Sequence, residues 1–447
     1  MQIRSGKHGN AIRLMIVLAW SSGTAWGQAV PGMVESISGA GTVYTEATHT
    51  RLDSPSGSES NTRPGAGIEG HLGGRLQSGA SSLALRYGGS LDTRRKLPNG
   101  ETTDSSSVNG NARYQYFDRA NPLDFNLGHS VRSVRNNTGF LLDAGEYDTR
   151  NTLSGGAGLT LLPGDLSAVR FSAQAGRSYG GEDIDDSKSF TVSGELSRRL
   201  SERSEAVLAA RRSWSEEQAI DTTIDNAELG YQLALEHGSF SLGVGASQSQ
   251  RDFQGEASVD GEAATGHISR FWTGVESSTR LEYTRRLSDS TTDLSLDLPP
   301  DLTFLPDTIQ LQDLVVSDAL QFTHHTEALC NACRFSVMSE AVMLESEITN
   351  QKTHEYRASF DLAFEFTRLQ TLSAGYGWQG DAGENSGTVL EQRHTLNIAW
   401  NRRLTAKLRF GTELRQTWVR SKSQNRDQER YGIRLFLTRN FGLMARR

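Results

Sequence analysis

Past residue 34 the chain alternates between apolar and polar residues with a period of two. In "LDFNLGHSVRS", Leu123, Phe125, Leu127 and Val131 share one face, while Asp124, Asn126, Ser130 and Arg132 share the other. Successive side chains of a strand point to opposite sides, so this is a β-strand with one apolar and one polar face. "EYRASFDLAFEF" sets Tyr356, Ala358, Phe360, Leu362, Phe364 and Phe366 against Glu355, Arg357, Ser359, Asp361 and Glu365. The stretches beginning at Ala227, Phe240 and Ala406 follow the same rule. About twenty such segments of roughly 8 to 16 residues succeed one another, a length suited to tilted membrane strands.

Their connections alternate between two kinds. Short ones are "SGAS" near 78, "DRANP" near 118, "LPGD" near 162, "SERS" near 201, "EHGS" near 236, "SDST" near 288, "CNAC" at 330, "TRLQ" near 367 and "RRLT" near 402. Longer polar ones include "RLDSPSGSESNTRP", "RNNTGFLLDAGEYD", "DFQGEASVDGEAATG", "PPDLTFLPDTIQLQD", "GDAGENSG" and "KSQNRDQE". Short turns on one side and long loops on the other are the habit of outer-membrane barrels. A phrase of Arg-Leu followed by small polar residues recurs in "SRRLSERS", "TRRLSDST" and "NRRLTAKL", with looser echoes at Gly74 and Thr367. It reads as the inner end of a descending strand, where Arg reaches the interface, Leu closes the apolar band and small polar residues turn.

Aromatic residues fall where two interfacial belts would need them. Trp214, Trp378 and Trp418 lie near outer ends of rising strands, and Trp272 and Tyr356 near outer starts of falling ones. Tyr116, Tyr283, Phe366 and Trp400 lie near inner ends.

Composition agrees with a thin apolar layer: only 36% of the 447 residues are hydrophobic and 45 are Gly, poor for a soluble enzyme core. Arg4, Lys7 and Arg13 precede "LMIVLAW" and then small residues, the layout of a secretory signal over 1–27, with cleavage after Gly27 or Ala29. Its removal takes net charge from −7 to about −10. Net acidity of this kind argues against nucleic acid as the partner. Residues 28–447 then form a single barrel, with no later run apolar enough for a membrane helix.

In the last segment Tyr431, Ile433, Leu435, Leu437 and Phe441 share a face, opposite Gly432, Arg434, Phe436, Thr438 and Asn440. It resembles the C-terminal signal read by the barrel assembly machinery, extended here by "GLMARR". The whole mature chain resembles the β-barrel porins associated with exopolysaccharide and PEP-CTERM protein-sorting systems of Gram-negative bacteria. The resemblance is carried by "GAGTVYTEATHT", "PLDFNLGHSVRS", "LEYTRRLSDSTTDLSL", "VVSDALQFTHHT" and "YGIRLFLTRNF". It implies an outer-membrane location among lipid and lipopolysaccharide, with polysaccharide export components as partners.

If the apolar faces meet lipid, the polar ones line a lumen. Arg86, Arg113, Arg132, Arg170, Arg357, Arg393, Arg409, Arg415 and Arg434 would face in, with Glu69, Glu195, Glu228, Glu355, Asp361, Glu365, Glu391 and Glu413. Two readings stand: ion pairs that stiffen the wall, or a constriction that filters solutes. Ser239, Ser241, Gly243, Gly245, Ser247 and Ser249 add a surface suited to sugars and water.

No catalytic motif is present: the chain lacks G-x-S-x-G, H-E-x-x-H and a phosphate-cradling loop. His129 and Ser130 are neighbours on a strand and so point apart. Cys330 and Cys333 read as a local disulfide or two thiols. His324 and His325 lie close enough to them in sequence to raise zinc, but strand alternation splits the histidines. No metal or cofactor is expected. The apolar connection 299–313 reads as a plug, a rim element or a partner site. The expected fold is all-β, an antiparallel up-and-down transmembrane barrel of about 20 strands. Passage or export of hydrophilic material is the first functional reading, an envelope scaffold the second, and an outer-membrane hydrolase the third.

Overall fold

The computed structural model describes residues 34–96, 102–118, 120–135, 147–180, 186–217, 220–253, 258–289, 314–330, 332–346, 351–383, 389–422 and 425–444. The segment 1–27, expected to be a secretory signal, and the connection 299–313 lie outside them.

Twenty antiparallel strands form one sheet. They are β1 Val34–Ser54, β2 Gly57–Ser78, β3 Ser81–Lys96, β4 Thr102–Phe117, β5 Leu123–Arg135, β6 Tyr147–Gly164, β7 Ser167–Tyr179, β8 Ser187–Ser201, β9 Ser204–Glu217 and β10 Ile220–Leu235. The second half holds β11 Gly238–Phe253, β12 Val259–Thr273, β13 Ser277–Asp289, β14 Leu314–Thr326, β15 Cys333–Ser346, β16 Lys352–Thr367, β17 Gln370–Gly383, β18 Glu391–Arg403, β19 Leu408–Ser421 and β20 Arg426–Met444. Each strand pairs with the next, and β20 pairs with β1 from Ser36↔Met444 to Asp53↔Asp427. The sheet therefore closes into an all-β, 20-stranded, up-and-down barrel.

Closure hides one face of every strand and leaves the other outside. Leu127, Leu153, Leu208, Leu229, Val244, Leu320 and Ile433 are exposed on the outer face. A closed antiparallel barrel with such a surface satisfies its backbone groups by pairing each strand with its neighbours, the condition for crossing a bilayer, save along upper β12, where the ladder to β13 stops at Gly266↔Arg285. Aromatic pairs ring it at two levels. Tyr356 stacks on Trp378 with centroids 6.4 Å apart, and His394 meets Trp418 at 6.3 Å. Near the opposite end Tyr116 meets Phe125 at 6.3 Å and Trp400 meets Phe410 at 6.2 Å.

One end, called lower here, carries the turns at 79–80, 165–166, 202–203, 236–237, 274–276 and 368–369. Gly238 follows one of them at φ +132°, a conformation open to glycine, and a Cβ there would run into the Phe271 carbonyl.

Several expectations about ends need correction. "SDST" is not a lower turn: β13 rises to Asp289, so its Arg-Leu-Ser phrase lies at the upper end. The true lower turn is 274–276, disguised by the fully exposed Val275. Trp272 consequently sits at the lower end of β12, and Tyr283 lies in mid-β13. The other four Arg-Leu phrases do end descending strands, β2, β8, β16 and β18. "RLDSPSGSESNTRP" is no loop either. β1 and β2 pair continuously from Val34↔Gln77 to Ser54↔Gly57 around a turn at 55–56. Its tip projects above the apolar band, and there the Ser58 hydroxyl and Arg51 hold the Asp53 carboxyl below its usual pKa. Most of "DFQGEASVDGEAATG" likewise belongs to β11 and β12.

Candidate functional site: the barrel interior

Followed from strand to strand, the register puts all nine arginines named above on the enclosed face, together with Glu69, Glu195, Glu228, Glu355, Asp361, Glu365, Glu391 and Glu413. Some of these are brought together. Arg357, 6% exposed, lies 3.1 Å from Glu355 and 3.6 Å from Glu340. Arg415 meets Glu413 at 2.7 Å, and Arg434 reaches Glu69 at 2.5 Å and Glu413 at 3.9 Å. Arg170 meets Asp124 at 2.9 Å, and Glu228 meets His267 at 3.1 Å. Arg86, Arg132 and Arg409 form no ion pair among the described residues.

Glu340 and Asp124 are partners that sequence reasoning did not assign. For Glu340 the reason is physical: the enclosed face of β15 also carries Met338 and Leu344, both buried. With apolar residues on both faces, alternation no longer tells inside from outside.

Between the charges run hydroxyl pairs across neighbouring strands. Ser90 and Ser107 are 2.8 Å apart, Ser172 and Ser193 2.6 Å, Ser241 and Ser269 2.8 Å, and Thr42 and Thr438 2.9 Å. Asn226 donates to Ser247 at 2.7 Å and to Thr265 at 3.3 Å. Each pair leaves lone pairs or protons free for a solute in the lumen.

From β10 to β19 the enclosed face is more buried toward its upper end. On β11 Ser239 is exposed, Ser241 half-buried, and Ser247, Ser249 and Arg251 are buried. On β16 Thr367 and Glu365 are exposed, whereas Ser359, Arg357 and Glu355 are buried. Part of the cause is visible in the wall. β12 and β13 pair only from Thr273↔Ser278 to Gly266↔Arg285. Above that point Leu287 and Val316, on the outward register of β13 and β14, pack against Ala263 and Ile224, which face inward. β13 also comes within 8 Å of β11, across its own neighbour. The upper β13–β14 segment therefore passes inside β12, and Val315, Val316 and Ser317 are buried on both strand faces.

Where this ladder stops, Arg285 donates to the Ala264 carbonyl at 3.1 Å and to Asp318 at 2.6 Å, and the Tyr283 hydroxyl donates to Asp318 at 2.6 Å. These groups lie on the outward register and neutralise one another on the lipid side, as charges there must.

Cys330 and Cys333 are joined by a disulfide in the lower connection between β14 and β15, so neither is a thiolate for metal. His324 instead hydrogen-bonds Thr279 at 2.8 Å on the outer face. No group of three potential metal ligands occurs among the described residues. His129 bonds the Tyr87 hydroxyl at 2.7 Å on the outer face, while Ser130 lies on the opposite face of β5, opposite Asn111 in register.

An apolar outside, two aromatic belts and a polar enclosed face together make this an outer-membrane-type β-barrel. No protein-family model matches the chain, and no curated protein matches it. Among solved structures, the open form of the ferric-catecholate import receptor Fiu from E. coli K12 is similar at 9% identity and TM-score 0.49, over 89% of this chain and 81% of that one. A mutant of the ferric enterobactin receptor PfeA from Pseudomonas aeruginosa is similar at 11% identity and TM-score 0.49, over 91% and 80%. The copper transporter OprC is similar at 9% identity and TM-score 0.47, over 89% and 80%. Likeness at that level says nothing of what passes through a barrel.

Proposed function

We propose that this chain is an outer-membrane barrel through which hydrophilic material of the carbohydrate class crosses, without covalent chemistry. The observation that supports this best is the polar lining: hydroxyl pairs and matched ion pairs recur around the enclosed face, and such groups exchange hydrogen bonds with sugars as they do with water. Export by the secretory segment and insertion through the last-strand face of Tyr431, Ile433, Leu435, Leu437 and Phe441 belong to the same reading. So does a link to exopolysaccharide, motivated by the resemblance of the sequence motifs.

The test is reconstitution. Full-length protein, refolded and shown to be heat-modifiable, should give stepwise current in planar bilayers and swelling of liposomes in a neutral disaccharide. Silence in both, from folded protein, rejects passage. Loss of surface polysaccharide on deletion of the gene tests the carbohydrate link.

A scaffold that anchors envelope components is the second reading, favoured by one observation: the upper enclosed face from β10 to β19 is largely buried. A barrel closed there would be silent in bilayers and would still cross-link to periplasmic partners.

A further inference from the structure

We infer that Arg132 and Arg150, with Ser187, form an oxyanion-binding site on the inner wall near the upper mouth. Arg132 of β5 and Arg150 of β6 stand directly opposite each other in register. Both face inward, three residues below the upper end of β5. Like charges set opposite each other across a ladder repel, and a guanidinium taken from water is costly unless paired. Arg150 is only 7% exposed. Its Nη2 donates to Ser187 Oγ at 3.2 Å, while its Nε has no partner. Among the described residues no carboxylate forms an ion pair with either arginine.

Inward arginines elsewhere in the wall show both arrangements: Arg86 and Arg409 form no ion pair among the described residues, and buried Arg251 also has N–H groups without a partner. Arg170, Arg357, Arg415 and Arg434 each hold a carboxylate. Among the described residues the Arg132–Arg150 pair thus has no carboxylate in an ion pair, and Arg150 carries one orphaned N–H. Beside it on the same face lie the Thr152 and Ser178 hydroxyls, 2.9 Å apart. Two guanidinium forks with hydroxyls around them match an oxyanion in both charge and hydrogen-bond direction. The ligand class is a solute bearing such a group, either the carboxylate of an acidic sugar or a phosphate. Its role in selecting cargo rests on the passage proposed above; binding itself does not.

Titration calorimetry on the refolded full-length barrel, checked by heat-modifiability, tests the site. The probes are trigalacturonate, inorganic phosphate and the neutral trisaccharide maltotriose. An oxyanion probe should bind, losing affinity as salt rises, and maltotriose should not bind at this site. Preference for trigalacturonate would identify a uronate, and preference for phosphate a phosphate group. Arg132→Gln and Arg150→Gln should each weaken binding by about tenfold or more, and Arg150→Lys should recover only part of the loss because it lacks the fork. Arg212→Gln, which removes an outward-facing charge paired with Asp225, should change nothing. No oxyanion binding to folded protein, or unchanged binding by the Arg132→Gln/Arg150→Gln double variant, would overturn the proposal. Neutral-disaccharide swelling reports on passage alone, so the two readings can fail separately.

Discussion

Arginine in place of Leu362 should destabilise the barrel strongly, whereas arginine in place of Asp361, its chain neighbour, should not. β16 carries Tyr356 in the upper aromatic belt and Phe366 near the lower one. Ten residues at about 3.4 Å each, tilted by about 40°, rise about 26 Å, close to the apolar height of about 25 Å expected of such barrels. Leu362, four residues from Phe366, then lies about 10 Å above the lower belt and only about 3 Å from the midplane. A lipid-facing Arg at that depth costs about 2–4 kcal/mol, so the folded-to-unfolded ratio should fall by about a hundredfold. Asp361 lies on the enclosed face opposite Gly375, which leaves room for its side chain. Its replacement should alter ion selectivity and leave stability near that of the parent. Phe366→Arg, at the interface, should cost about 0–1 kcal/mol. Reversible urea unfolding in lipid vesicles, followed by tryptophan fluorescence, measures all three. Equal costs at 361 and 362, or a cost at 366 as large as at 362, would show that the faces or the depth have been misassigned.

Phe441 lies over Gly39 across the β20–β1 closure, so Phe441→Asp should leave the chain in the periplasm for degradation; normal amounts of heat-modifiable barrel would refute this. Arg357→Met strands two buried carboxylates and should cost about 3–5 kcal/mol, most of it recovered by adding Glu340→Gln and Glu355→Gln in the same urea assay. Leu287→Ser with Val316→Ser removes the apolar contact that holds β13–β14 inside β12, and single-channel conductance should rise; an unchanged value would mean the overlap does not limit flow. With Cys330 and Cys333 replaced by Ser, a lone Cys at Ala332 should resist a membrane-impermeant maleimide on intact cells, and one at Ser56, in the upper turn, should react. Labelling at 332 on intact cells would invert the topology.

The strands themselves were legible because lipid on one side and a polar lumen on the other impose a strict period of two. Where that contrast disappears, so does the signal. Above the apolar band the β1–β2 ribbon has no lipid-facing side, so "RLDSPSGSESNTRP" reads as loop although its backbone stays paired. Pro64 strengthens the misreading, yet β3 pairs with β2 only as far as Ala66↔Thr93, and a proline is tolerated on the free edge beyond. The end of β13 was lost for the opposite reason. Ser and Asp residues that serve turns elsewhere continue a strand there, and the real turn carries Val275.

Face could be read one strand at a time, but pairing could not. Arg434 reaches Glu69 only because β20 closes on β1 and because the Tyr44 side chain lies over Gly67, giving the guanidinium a ring to rest on at 3.6 Å. Those residues are far apart in the chain, and no local pattern joins them. Arg132 and Arg150 show the same limit from the other side. Arg132 reads as an inward arginine like the others in sequence and Arg150 was not assigned at all; only the register sets them opposite each other. The chemical character of this wall is therefore decided by which arginines are neutralised. A paired arginine stiffens the barrel and presents little net charge to a passing solute, while an unpaired one retains its field and its donors. Selectivity, if the barrel conducts, should follow the unpaired set rather than the total count of inward charges.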